Sequence, residues 1–369
     1  MRNFGLDVAR SIAIIMVLVS HSRMFFGEYD LQWLSYNGLL GVEIFFVLSG
    51  FLIGKIIIDT LIVDNSWGSL VTFYKRRWMR TLPLYFFVTF MLVLLGKDFH
   101  WSNIIFLQNF NASHLDFMPV SWSLAIEEWF YLIIPLLLIL IFRTLKPKNG
   151  GRMFISVCIA AILVITLTRI IYVQMYQPTW DFGVRKQIFL RFDALLFGVI
   201  LAGVKTYYKQ FYSEIEKKSN ILLVTSIVGL VGCALFYVLY LEAGKDYMNH
   251  SLFGRTLFFS VITVVSGIMI ISLESNKWIN QLPINSAFYK SVTYISITSY
   301  AVYLVHYELF IAVQKYMTNS SNLTRAFILI LCIVVVYGVA YLLNTFIEKP
   351  FMKLRDRNTS KNDFVISKN

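Results

Sequence analysis

Long apolar segments alternate with short polar ones along almost the entire chain. The apolar segments are close in length to the roughly twenty residues with which an α-helix crosses a bilayer, although one of them, 82–96, is short. They lie at 6–24, 38–58, 82–96, 122–142, 153–175, 187–204, 220–241, 255–273, 292–316 and 324–347. This pattern predicts an all-α polytopic membrane protein with about ten transmembrane helices.

The composition agrees with this prediction. Hydrophobic residues make up 57% of the chain and charged residues 15%, and the mean hydropathy is +0.66; soluble domains carry about 25% charged residues. A net charge of +12 also occurs in nucleic-acid-binding proteins, but here Lys and Arg concentrate in alternate loops, such as 143–152 and 205–218. The positive-inside rule explains this asymmetry, which predicts cytoplasmic N and C termini, membrane lipids as partners and no nucleic acid.

No linker or compositional break divides the apolar part of the chain. We therefore expect one integral membrane domain over residues 1–351, followed by a polar, basic cytoplasmic tail over residues 352–369. The three cysteines, Cys158, Cys233 and Cys332, fall in three different spans and form no metal-binding or redox motif. We interpret them as small core side chains and expect no metal site.

Two ionisable residues lie within the first apolar segment, Arg10 and His21. Eleven residues of α-helix turn through about 1100°, so both side chains share one face, roughly 16 Å apart along the axis. Charged groups inside a bilayer usually face protein or water and carry a function. Alternatively, Arg10 snorkels to a lipid headgroup and His21 belongs to a loop.

A basic segment precedes the third span. Residues 59–81 include Lys75, Arg76, Arg77 and Arg80 around an aromatic residue, and Pro83 follows. This arrangement predicts an amphipathic helix that lies on the inner leaflet and leads into Pro83. Because Arg77 and Arg80 are three positions apart, they are neighbours on one helix face and are able to grip a phosphate from two directions. The alternative is that they contact lipid phosphates.

Two glutamates, Glu127 and Glu128, lie near the start of the fourth span. Adjacent helix positions are 100° apart, so we expect one carboxylate to point inward and the other to lie at the membrane interface. Both are also explained as carboxylates favoured by the dipole at a helix N-terminus, which is the interpretation we prefer for Glu128.

Seven short motifs make the chain similar to a known family. The first span carries Arg, ten residues and then His, and the second carries GVEIFFVLSGFL. Further motifs are RRWMRTLPLY at 76–85, SWSLAIEEWFY at 121–131, RFDALLFG at 191–198, SYAVYLVH at 299–306 and EKPF at 348–351. In this order and spacing, over residues 7–351, they resemble the acyltransferase-3 family of membrane acyltransferases.

The resemblance implies transfer of an acyl group, commonly acetyl, from cytosolic acyl-CoA to a hydroxyl of a surface or lipid-linked carbohydrate such as O-antigen, capsule or exopolysaccharide. It also implies a place in the bacterial inner membrane, with acyl-CoA as co-substrate and no permanently bound cofactor. Some members append a periplasmic hydrolase-like domain, and this sequence resembles the stand-alone form.

The resemblance, read with the chemistry of ester formation, assigns roles to the polar residues. An alcohol needs a base to become a good nucleophile. His21 is our candidate, either as that base or as a nucleophile that itself attacks the thioester. The implied role of Glu127 is to orient His21. We expect His306, in the SYAVYLVH motif, to serve mainly in packing or pore lining.

The arginines are the predicted binding groups for CoA, which carries a 3′-phosphate and a pyrophosphate. Arg77 and Arg80 would hold the nucleotide end, while Arg10 would meet the cofactor deeper in the membrane or pair with a buried acid such as Asp193. The main alternative is a transporter of a glycan or small anion, because buried Arg, His and Glu also line transport pathways.

Overall fold

The computed structural model describes residues 2–26, 31–110, 115–242, 247–317 and 320–356. Residues 357–369 of the predicted tail lie outside this part. Within the described residues the chain forms helices and no strand. The α-helices are α1 Phe4–Ser22, α2 Ser35–Ile56, α3 Trp67–Leu94, α4 Trp122–Leu145, α5 Gly150–Tyr176, α6 Phe192–Tyr207, α7 Lys209–Lys217, α8 Ser219–Glu242, α9 Tyr247–His250, α10 Leu252–Arg255, α11 Leu257–Ser275, α12 Lys277–Asn280, α13 Ala287–Gln314 and α14 Asn322–Leu343.

The predicted fold class is confirmed. Nine helices in the described residues are long and apolar enough to cross a membrane. The one predicted segment that is not among these nine, 187–204, forms α6, which has 16 residues and follows directly on a 3₁₀ turn, Phe189–Arg191. The three cysteines are buried and unpaired, as expected.

The predicted boundaries of the helix over residues 59–81 were wrong. After a π-helical turn, Ile57–Ile62, a new helix starts behind the N-cap Ser66 and continues for 28 residues through Pro83. Close to this proline, the Tyr300 hydroxyl of α13 donates to the Thr81 carbonyl at 2.9 Å, which joins the helix to its neighbour. The basic residues therefore belong to one continuous helix, Trp67–Leu94, which is long and apolar enough to cross a membrane.

Helices α2 and α6 approach each other through glycines. A Cβ atom at Gly50 would lie 1.9 Å from the Leu195 carbonyl oxygen, and a Cβ at Gly198 would lie 2.1 Å from the Val47 carbonyl oxygen. Since any side chain would force the backbones apart, these two positions in the GVEIFFVLSGFL and RFDALLFG motifs require glycine.

A buried ion network joins α2, α5 and α6. Arg191 donates to Glu43, and Arg169 donates to Asp193 at 2.7 Å; the side chains of these four residues are at most 3% exposed. Asp193 is thus occupied by Arg169 and, at 3.8 Å, by Arg191. The suggested pairing of Asp193 with Arg10 was wrong, because Arg10 lies on α1 and pairs there with Asp7.

Candidate active site

Helices α1 and α13 pack side by side and bring two histidines into contact. Nδ1 of His21 lies 3.0 Å from Nε2 of His306. His306 is fully buried, and its Nδ1 lies 3.0 Å from the Val302 carbonyl and 2.8 Å from the Tyr303 carbonyl. His306, which we expect from the sequence to serve mainly in packing or pore lining, is the hydrogen-bond partner of His21 in the structure.

Arg10 also contacts α13. Its guanidinium donates to the Ser296 hydroxyl at 3.1 Å and pairs with Asp7 at 3.7 Å, and Ser296 in turn donates to Asp7 at 2.7 Å. Since Arg10 and His21 both contact α13, the predicted shared face of α1 is confirmed. The two helices run in the same direction, because residues 10 and 21 meet residues 296 and 306 in that order.

Glu127 belongs to a second polar cluster, formed by α2, α3 and α4. It accepts hydrogen bonds from Ser49 at 3.0 Å and Tyr131 at 3.2 Å, and Arg77 donates to it at 3.5 Å. The Arg77 guanidinium also lies 4.0 Å from the centre of the Tyr131 ring. The expected contact of Glu127 with His21 is replaced by a pair with Arg77, and His306 contacts His21 instead.

Glu128 points into the protein as well. Its side chain is buried and accepts a hydrogen bond from Thr81 at 3.0 Å. Helix α4 begins at Trp122, so both glutamates lie beyond the first helical turn, which contains no acidic residue. The interfacial and helix-dipole interpretations of Glu128 were therefore wrong, since a macrodipole acts mainly within the first turn.

Arg77 and Arg80 have different surroundings although they share α3. Arg77 is engaged by Glu127 and Tyr131, whereas Arg80 is exposed and has no hydrogen bond or ion pair with the residues that the structure describes. The charges of Arg10, Arg77 and Glu348 act on Arg80. Glu348 itself accepts a hydrogen bond from Asn344 at 2.7 Å. The Arg80 guanidinium is thus a cation available to an anionic ligand.

The other end of the site is also cationic. The charges of Arg23 and Arg185 act on His21, and the Arg185 guanidinium lies 4.8 Å from the centre of the Trp122 ring. Arg185 and Lys186 both pair with Asp181 at 2.6 Å. Burial opposes ionisation of Asp181, but these two cations outweigh it and hold the pKa of that carboxyl below its usual range. Asp181 therefore stays negative and holds both cations near the site.

Fold and site together define a class: a polytopic all-α membrane protein with a histidine pair, a largely buried carboxylate–arginine pair, and an arginine that pairs with none of the residues that the structure describes. Comparison with known proteins agrees with this class and identifies the family. The family described as "Acyltransferase domain", of the acyltransferase-3 type, matches residues 3–344. The chain therefore belongs to the acyltransferase-3 family.

Curated relatives carry the name O-acetyltransferase. The chain is 27% identical over 373 residues to O-acetyltransferase OatA of Staphylococcus aureus (strain NCTC 8325 / PS 47). It is equally similar to OatA of S. aureus strain COL. The alignments cover 95% of this chain and 57% of each relative, so the chain spans a little over half the length of these proteins. No solved structure matches the chain.

Proposed function

We propose that this protein is a membrane O-acyltransferase that moves an acyl group, in the first instance acetyl, from acyl-CoA to a hydroxyl of a surface or lipid-linked carbohydrate. The observation that carries the proposal is the hydrogen-bonded pair of His21 and His306 on the same face of α1 as Arg10. Family membership and the names of the relatives support the same activity. We place the enzyme in the bacterial cytoplasmic membrane, with its N-terminal side in the cytosol.

In this proposal the acyl donor, acyl-CoA, binds through its phosphates on the side of the protein where α1 begins. Arg80 offers a guanidinium that pairs with no described residue, and Arg10 and Arg77 add positive potential to it. Phosphate groups are recognised well by such planar, forked donors. Arg77 is committed to Glu127, so its main effect is to hold that carboxylate in place.

The pantetheine arm of CoA has a suitable length for this geometry. Arg10 and His21 are separated by roughly 16 Å along α1. The arm is as long as about four extended residues, or roughly 14 Å, and the phosphate with its arginine extends that reach. A thioester at the end of the arm would thus arrive near the histidine pair.

The chemical step then uses His21 as the base. His21 takes the proton of the acceptor hydroxyl, the oxygen forms a bond to the thioester carbonyl carbon, and the carbon–sulfur bond breaks. The CoA thiolate leaves and regains a proton, so the products are a carbohydrate ester and free CoA. In this proposal the acceptor reaches the site from the side opposite the N-terminus, where Arg185 lies near His21.

The test uses membrane vesicles from bacteria that express the full chain. Radiolabelled acetyl-CoA is added, and alkali-labile label in the glycan fraction is measured together with free CoA. We expect both products with the unchanged chain and neither with His21→Ala. Glycan transport without CoA release would favour the transporter alternative and refute this proposal.

A further inference from the structure

The hydrogen bonds of His306 fix where its proton lies. Nδ1 of this ring faces two backbone carbonyls, those of Val302 and Tyr303, at 3.0 and 2.8 Å. A carbonyl oxygen only accepts hydrogen bonds, so Nδ1 must carry the proton and donate it. In a neutral imidazole the other nitrogen, Nε2, is then an acceptor.

The buried surroundings of His306 favour this neutral ring. The residue is fully buried, and its hydrogen-bond partners are two carbonyls and one imidazole, none of which carries a negative charge. An unpaired charge in such a place is costly. The ring of Phe310 lies edge-on to the imidazole, with the ring centres 5.9 Å apart, and limits its reorientation.

The state of His306 determines the state of His21. Because Nε2 of His306 accepts, Nδ1 of His21 at 3.0 Å must be the donor. The lone pair of His21 is then on Nε2. We propose that His306 is a positioning residue that holds His21 in the Nδ1–H tautomer and leaves Nε2 as the basic atom; this inference rests on the proposed function.

In catalysis, His306 acts on His21 as the carboxylate of a hydrolase triad acts on its histidine. One proton moves from the acceptor hydroxyl to Nε2 of His21, and the positive charge that forms is shared through the Nδ1–H hydrogen bond to His306. A hydrogen bond from an ionised donor is shorter and stronger than a neutral one, so this contact stabilises the charged ring more than the neutral one. His306 supplies the contact that we had expected from Glu127.

The groups facing His21 are compatible with this tautomer. Arg23 and Arg185 bring positive charge from the end of α1 and from an adjoining turn. The Tyr307 ring lies edge-on, with its centre 5.1 Å from that of His21.

The direct test is ¹⁵N NMR of the full chain with labelled histidine, which distinguishes Nδ1–H from Nε2–H imidazole. The signal of His21 is identified by its loss in His21→Ala. We expect the Nδ1–H form in the unsubstituted protein. A His21 ring protonated only on Nε2 would overturn the inference and leave the proposed function untouched, since the measurement needs no turnover.

Kinetics provide the second test. His306→Phe keeps a ring but removes the acceptor, and we expect kcat to fall by about 10² to 10⁴, the range of lost base catalysis, with an unchanged KM for acetyl-CoA. His306→Gln can place its amide oxygen near the former Nε2, and kcat should recover at least tenfold over His306→Phe. The matched control is His250→Phe at an exposed position. Unchanged kcat in His306→Phe would refute the positioning role, whereas unchanged activity in His21→Ala would refute the proposed base.

Discussion

Removal of Arg77 should destabilise the protein because it leaves a carboxylate in the interior. The Arg77 and Glu127 side chains are only 17% and 14% exposed. Deleting one partner of a buried ion pair costs about 3–5 kcal/mol. The 3.5 Å separation is long, and Glu127 keeps hydrogen bonds from Ser49 and Tyr131. We therefore expect about 3 kcal/mol for Arg77→Met, the lower end of that range.

The assay is unfolding of the purified protein by SDS in mixed micelles, with a double-mutant cycle. Glu127→Gln removes the negative charge, so the double variant Arg77→Met/Glu127→Gln should recover at least about 1 kcal/mol relative to additivity. Arg76→Met on the same helix is the control, because Arg76 is exposed. Strictly additive losses, or an equal loss in the control, would refute the pairing as a source of stability.

Three further predictions follow from the geometry. Arg80→Ala should raise the KM for acetyl-CoA about 10- to 150-fold, the equivalent of one charge-assisted hydrogen bond, while Arg76→Ala leaves it unchanged and Arg80→Lys rescues in part; equal KM values in all variants would contradict phosphate binding by Arg80. Gly198→Ala should reduce the folded yield strongly, because its Cβ would lie 2.1 Å from a carbonyl oxygen, whereas Gly232→Ala, with no atom within 4 Å, should be tolerated; size-exclusion profiles check this. The rate should fall on the acid side as His21 becomes protonated, since imidazolium accepts no proton, and a flat acid limb in a kcat profile would rule out the histidine base.

Hydropathy and helical periodicity predicted most of the fold because both are local properties of a sequence. The spans follow from the length of apolar segments, and the shared face of Arg10 and His21 follows from 100° per residue. The continuous helix through Pro83 was not predicted, because a proline in a sequence usually marks the end of a helix. Here the Tyr300 hydroxyl bonds near it, and Tyr300 lies 219 residues away from Thr81 in the sequence.

The residue pairs within the site could not be predicted either, because their members lie far apart in the sequence. His306 lies 285 residues from His21, and Arg77 lies 50 residues from Glu127. No periodicity connects such positions. The only sequence signal for His306 was its place in the SYAVYLVH motif. The motif indicates that the residue matters but does not indicate which residue it contacts.

The buried pair of Glu43 and Arg191 also has a consequence for biosynthesis. These residues are 148 positions apart, so at about 5–20 residues per second the arginine is synthesised roughly 7 to 30 s after the glutamate. Throughout that interval Glu43 has no counter-charge from α6, and an ionised carboxylate is costly in lipid. Helix α2 therefore waits for this counter-charge until Arg191 has been synthesised, and its final docking is timed by the arrival of α6.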